Sequence, residues 1–335
     1  MVPLVGLNRA IVKQGLQILK NRTNLGLKVL YDLCNIQSSP STFDLGFVLG
    51  PRINAGGRVG KSSNGADLMI SSDIQMANKI AQELDKSNKE RKSIEMLLFN
   101  KIDAEAKKFS NDPVLVLSGN NWHEGVIGII ASRIKEKYKK PTVIISFNKN
   151  KGKGSARSII GFDIGSQIIK AVQLKILESG GGHKMAAGFL IDKSKILNLR
   201  SELIKNFNKK NDEFSTNINL YLDGVLSPSA LNENFFKDID KLGPFGSGNA
   251  EPKFAIEQLK ILSTTFVGEN HLKIILLGKD GSTFKAFAWN ARNTLLQSYL
   301  EKNQKRKINI AGNIRLNEWQ GKKEVQFNII DIAVA

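Results

Sequence analysis

Residues 113–146 read PVLVLSGNNWHEGVIGIIASRIKEKYKKPTVIIS. PVLVLSG is a short apolar run with no polar alternation, which suits a strand covered on both faces. A turn at NNWHEG opens a helix-length segment, and PTVIIS repeats the buried-strand texture. Strand, helix and strand in that order make a right-handed crossover, so the two strands are expected to be parallel. Ligands of such sheets bind beyond the carboxyl ends of the strands, where free N–H groups at a helix N-terminus suit phosphate. Trp122 and His123 fall at that junction. The competing assignment makes His123 a cap or core histidine and Trp122 packing.

Towards the C-terminus, KGSARSII reads as a third strand, IGSQIIKAVQLKILESG as a helix, and GGGHKMAAGFLI as a glycine turn entering a strand. A helix over 193–209 closes the unit. Ser155 and Arg157 stand two apart on a strand and so share a face. Together they offer a hydroxyl and a fork of donors to phosphate, with Lys153 just before them. The alternative is an Arg157 paired to a carboxylate on a solvated face. Gly181 and Gly182 leave a backbone that a ligand can approach closely, and His183 adds a ring able to donate to phosphate or to a leaving group.

Towards the N-terminus, residues 66–112 contain neither Gly nor Pro. Ile74, Ala77, Ala81 and Leu84 keep a helical spacing that Leu98 and Ile102 resume. The pattern predicts a helix over 72–109, about 57 Å long, with a capping box from Ser72 to Gln75. Its middle turns polar at Asn88, Arg91 and Glu95, which suits a strut between domains. Two short helices and a Gly-rich loop, FDLGFVLGPRINAGGRVGKSSNG, precede it. Arg52 and Arg58 on that loop are candidate phosphate contacts, against the alternative of a flexible basic loop.

Beyond a polar linker at 208–217 come short strands: NLYLDGVL, KFAIEQLKILST, HLKIILLG, FKAFAWN, KINIAGNIRL and EVQFNIIDI, with a helix over 293–300 between the fourth and fifth. Such a series predicts a small barrel of the oligonucleotide-binding (OB) type. Lys273, Lys285, Phe287, Trp289, Arg315 and Trp319 bring charge and rings together, as a groove for single strands requires. Alternatively Phe287 and Trp289 fill the barrel, and at least one of them is expected to.

The bulk composition agrees. The chain has 335 residues, 49 Lys and Arg against 31 Asp and Glu, and a formal charge of +18. That excess draws phosphate backbones at long range. One cysteine, Cys34, excludes an internal disulfide, and three histidines add few ligands for structural zinc. With no apolar run near 18 residues, the expected setting is the cytoplasm rather than a membrane. Two-metal phosphodiester hydrolysis needs converging carboxylates and histidines. The one Asp-x-Asp, Asp238 with Asp240, falls in a polar helical stretch. No metal ligand set is expected.

GPRINAGGRVG, NWHEGVIGIIASR, KGSARS, GGGHKMAAGF and GPFGSGNAEPKF occur here in the order found in RecJ single-stranded-DNA exonucleases, which the opening VPLVGLNRAIVKQGL also resembles. The resemblance covers essentially the whole chain. It implies a 5′-to-3′ exonuclease of DNA repair and recombination, using Mn²⁺ or Mg²⁺ held by a DHH phosphoesterase domain. It implies α/β plus β architecture: a junction with the DHH domain over 1–70, a connecting helix over 71–110, a DHH-associated α/β domain over 111–210 and an OB barrel over 216–335. On it, Ser155, Arg157, Gly181, Gly182 and His183 line a cleft gripping phosphates, and Arg52 and Arg58 contact the strand nearby. The family's metal ligands precede the VPLVG string. The chain is therefore expected to be the substrate-binding C-terminal portion of such an enzyme, inactive by itself. Its partners would be single-stranded DNA, other repair proteins and a separately encoded DHH domain. A non-catalytic single-strand-binding protein is the alternative; a phosphodiesterase of small nucleotides suits the barrel and the charge less well.

Overall fold

A computed structural model describes residues 2–36, 39–208, 219–319 and 322–335. The chain divides into two compact units, Leu19–Ile218 and Met1–Ile18 with Asn219–Ala335. Residues 1–18 thus group with the barrel, not with the segment up to residue 70.

The larger unit opens with the end of α1 (Gly6–Lys20) and α2 (Leu25–Leu33). The stretch expected as a Gly-rich loop is helical. A π-helical turn over Asp44–Leu49 runs into α3 (Gly50–Ile53), α4 (Gly56–Val59) and α5 (Asn64–Ile70). Next comes α6 (Ile74–Lys108), 35 residues or about 52 Å. Its N-cap is Asp73 rather than Ser72: the carboxylate accepts from the N–H groups of Gln75 (3.0 Å) and Met76 (3.4 Å). The two apolar stretches of α6 serve different cores. Ala77, Ile80, Ala81 and Leu84 pack on α2 residues, whereas Leu98, Ile102 and Ala106 pack on the α/β domain. The polar middle is covered. Asn88 and Arg91 are buried, and Arg91 donates to Asn88 and to Glu95, which also pairs with Arg133 at 3.0 Å.

The α/β domain runs β1 (Leu115–Asn120), α7 (Glu124–Tyr138), β2 (Thr142–Asn148), β3 (Lys151–Arg157), α8 (Ile164–Gln173), β4 (Ser179–His183), β5 (Ala186–Asp192), a 3₁₀ turn over Lys193–Lys195 and α9 (Ile196–Asn208). Its sheet order is β1-β2-β3-β5-β4, with β1 and β2 parallel as expected and the rest antiparallel. One face packs on α6 and α7, the other on α8 and α9. GGGH is itself an edge strand, and the turn follows at Lys184 and Met185.

In the second unit, β6 is a bridge of two residues, Gly224–Val225, and α10 spans Glu233–Asp240. Five strands follow: β7 (Phe254–Val267), β8 (His271–Leu277), β9 (Thr283–Ala288), then, after α11 (Leu295–Lys302), β10 (Ile308–Trp319) and β11 (Lys322–Val334). Pairing of β10 with β7 closes the barrel. Packing explains Gly246 and Gly248 of the GPFGSGNAEPKF motif. A Cβ on Gly248, at φ +74°, would stand 2.7 Å from Pro3 Cβ, and one on Gly246 would stand 2.8 Å from Leu4 Cδ1. The Leu4 N–H donates to the Ser247 carbonyl between them at 2.6 Å. Apart from residue 208, the expected polar linker lies outside the described residues.

Candidate nucleic-acid interface

Strand register builds the first half of the site. Arg157 lies opposite Ala186 and through it His183; Ser155 opposite Gly188 and Gly181; Lys153 opposite Leu190 and Ser179. These residues share one face of β3, β5 and β4. Its middle row beyond Ser155 is bare backbone. A Cβ at Gly181 would meet nothing within 4 Å, and one at Gly188 only the Gly154 carbonyl at 3.8 Å. The neighbouring Gly180 and Gly182 face the other way, where a Cβ would collide with Phe189 or Ala187. Packing therefore requires Gly180 and Gly182, whereas Gly181 and Gly188 keep a trough open. Gly188 was not singled out from the sequence; its signal is register, since it pairs with both Ser155 and Gly181.

Cations border the trough. Arg157 donates to Ser155 Oγ (3.1 Å) and to its neighbour's carbonyl (2.8 Å). Burial, and next the charge of nearby Arg58, push its pKa below the usual guanidinium value. Among the described residues neither arginine has a carboxylate partner, so the solvated-ion-pair alternative for Arg157 does not hold. Two close cations with no counter-ion form a place for an anion. Arg58 is held there by α7, donating to the Gly125 carbonyl at 2.9 Å. Lys153 pairs with Glu124 at 3.1 Å.

Both histidines turn Nδ1 to their own backbone. His123 caps α7, accepting from the Gly125 N–H at 3.2 Å, and His183 accepts from the Met185 N–H at 3.4 Å. Each is exposed, with Nε2 unpartnered among the described residues. The capping role of His123 is therefore real. Trp122 is no surface group. It is 6% exposed, belongs to the core under α7 and has an indole N–H enclosed without a partner. Arg52 is withdrawn as well: its Nε pairs with Asp85 at 2.8 Å and a terminal nitrogen donates to the Val48 carbonyl. A sequence pattern cannot show that an aspartate 33 residues on will capture this arginine.

On the barrel, Lys273, Lys285, Phe287, Trp289 and Arg315 come together on the outer face of β8, β9, β11 and β10. Lys273 pairs in register with Phe287, Phe287 with Asn328, and Asn328 with Asn313. Ala286 and Ala288 point into the core, so neither Phe287 nor Trp289 fills the barrel, contrary to expectation. Lys285 pairs with Glu324 at 2.7 Å and Arg315 with Glu251 at 2.8 Å. Burial raises the Glu251 carboxyl, opposed by Arg315. The Trp319 side chain lies outside the described residues.

The RecJ OB domain model matches residues 222–331 and the DHHA1 domain model matches residues 111–211. The chain thus carries a RecJ OB domain and a DHHA1 domain. The single-stranded-DNA-specific exonuclease RecJ of Haemophilus influenzae is 32% identical over 342 residues, 97% of this chain and 58% of that protein. The Bacillus subtilis RecJ is 29% identical over 345 residues, 100% of this chain and 42% of that protein. The crystal structure of RecJ with Mn²⁺ from Thermus thermophilus superposes with a TM-score of 0.83 at 26% identity, covering 100% of this chain and 48% of that one. The chain spans about half the length of the RecJ relatives it matches.

Mn²⁺ and Mg²⁺ accompany RecJ in solved structures. Among the described residues no three His, Cys, Asp or Glu are grouped to hold a metal ion, so these residues do not fit one. Asp238 of the lone Asp-x-Asp is exposed and paired to Lys241 at 2.6 Å. No helix among the described residues is long and apolar enough to cross a membrane.

Proposed function

We propose that this chain is the strand-gripping part of a RecJ-type nuclease of DNA repair and recombination. The trough on β3, β5 and β4 takes the phosphates of single-stranded DNA. Arg157, Arg58, Ser155 and Lys153 supply charge and donors, and His123 and His183 present Nε2 from either side. The barrel face takes the bases on Trp289, with Lys273, Lys285 and Arg315 near the backbone. Hydrolysis in the 5′-to-3′ direction, with Mn²⁺ or Mg²⁺, is assigned to residues beyond those described, whether on a separately encoded DHH domain or elsewhere. The chain by itself binds strands without cutting them.

The observation that carries this reading is the pair of unpaired arginines beside a floor of two glycines that packing does not require. The test is titration of the purified chain with 5′-labelled single-stranded DNA in Mn²⁺, following binding and cleavage together. Binding with the strand intact is expected. Cleavage would overturn the assignment of hydrolysis to other residues, and absence of binding would overturn the whole proposal.

A further inference from the structure

Trp289 combines two properties that seldom coincide: the residue is 55% exposed, yet its ring is fixed on three sides. Its indole N–H donates to Asn328 Oδ1 at 2.9 Å. The His271 ring meets it edge-on, with centroids 4.6 Å apart at 66°. His271 is itself held, since its Nδ1 accepts the Asn290 N–H at 3.0 Å. Phe287 lies alongside, nearly parallel at 20° with centroids 5.9 Å apart.

We propose that Asn328 is the positioning residue of a nucleobase-stacking site, holding the Trp289 indole as a fixed platform for one unpaired base. This rests on the single-strand reading above and deepens it. An exposed indole left to rotate would lose side-chain freedom each time a base stacked on it, and fixing it beforehand removes that cost. The hydrogen bond also occupies the ring's one polar atom, so the exposed surface is π-face, which takes any of the four bases. The surroundings suit a nucleotide better than an apolar peptide. Lys273 stands opposite Phe287 in the register, near enough to Glu324 to help lower that carboxyl but in no salt bridge among the described residues, and polar Asn328 and Asn313 continue the row. A base on Trp289 thus has a cation beside it for its phosphate.

The test compares two labelled oligonucleotides of equal length, one oligothymidylate and one built of abasic sites, by fluorescence anisotropy with the full chain. Trp289→Ala is expected to weaken thymidylate binding about 5- to 150-fold, the range for removal of one base stack. Asn328→Ala, which opens no core cavity because its side chain lies on the outer face, is expected to weaken it about 3- to 10-fold, a fraction of that stack. Both variants should bind the abasic strand as the unmodified chain does. A melting curve establishes that each is folded; if Asn328→Ala is not, Asn328→Ser, which also removes the acceptor carbonyl, stands in for it. Unchanged thymidylate binding by the Asn328 variant would overturn the proposal, and so would equal losses on both oligonucleotides. Failure of the unmodified chain to bind either strand would overturn the single-strand reading with it, so the two failures are distinguishable.

Discussion

Gly128 on α7 lies over Arg157 on β3. A Cβ added at Gly128 would stand 3.0 Å from Arg157 Nη2 and 3.1 Å from Ser155 Oγ. The helix that covers the sheet thus leaves one gap, and the guanidinium and hydroxyl of the trough occupy it. Gly128→Ala should raise helix stability by up to about 1 kcal/mol. It should also displace the Arg157 fork by a few tenths of an ångström. Melting temperature is therefore expected to hold or rise while affinity for single-stranded DNA falls several-fold. Loss of both would mean that the gap serves packing alone.

Gly188 offers the complementary experiment. A side chain there meets almost nothing of the protein but fills the trough between Ser155 and Gly181. Gly188→Val should leave thermal stability within about 1 kcal/mol, β-branched residues being at home in strands, and reduce strand binding at least tenfold. Gly182→Val, on the packed side, should unfold the domain instead. Chemical denaturation and binding isotherms for the pair separate the two kinds of glycine.

Arg52 and Asp85 join α3 to α6, largely out of solvent. Breaking a buried pair costs about 3–5 kcal/mol, and a little less is expected here because both side chains keep some exposure. Arg52→Ala should therefore lower stability by about 2–3 kcal/mol and change strand affinity little, measured by urea unfolding and anisotropy.

Asp85 also sets an acid limit. Burial alone would raise its carboxyl, but hydrogen bonds and charge from Lys89 and Arg52 outweigh that and hold it below the usual 3.8. A depressed folded pKa contributes stability that is present above the unfolded value and lost as pH falls through the folded one. The larger unit should weaken below about pH 4, and Asp85→Asn should flatten that part of the stability–pH curve.

Lys302 at the end of α11 and Lys305, Arg306 and Lys307 between α11 and β10 are all exposed and without ion-pair partners among the described residues. Lys285 and Arg315 on the barrel face, by contrast, each have a glutamate. Changing all four to Gln should reduce the slope of log affinity against log salt by about 0.7 for each phosphate they neutralise. An unchanged slope would assign the cluster to solubility.

The elements and their local order are legible along the chain: the buried parallel pair, the helix before it, the strand series of the barrel, and the shared face of Ser155 and Arg157. Periodicities of 2 and 3.6 fix these, because they report which side of an element is apolar. The chain's charge of +18, a property of composition, also makes phosphate the expected ligand class. Which polar group meets which is set by the tertiary fold. Arg52 and Arg58 look alike in GPRINAGGRVG, yet Asp85 captures one and α7 delivers the other to Arg157. Gly181 and Gly182 look alike in GGGH, yet strand register turns one to open space and the other into its neighbour. Trp289 gains its fixed plane from Asn328, 39 residues away. Ion pairs and hydrogen bonds act over about 3–4 Å, and no local pattern in a chain encodes which distant side chains folding brings within that range.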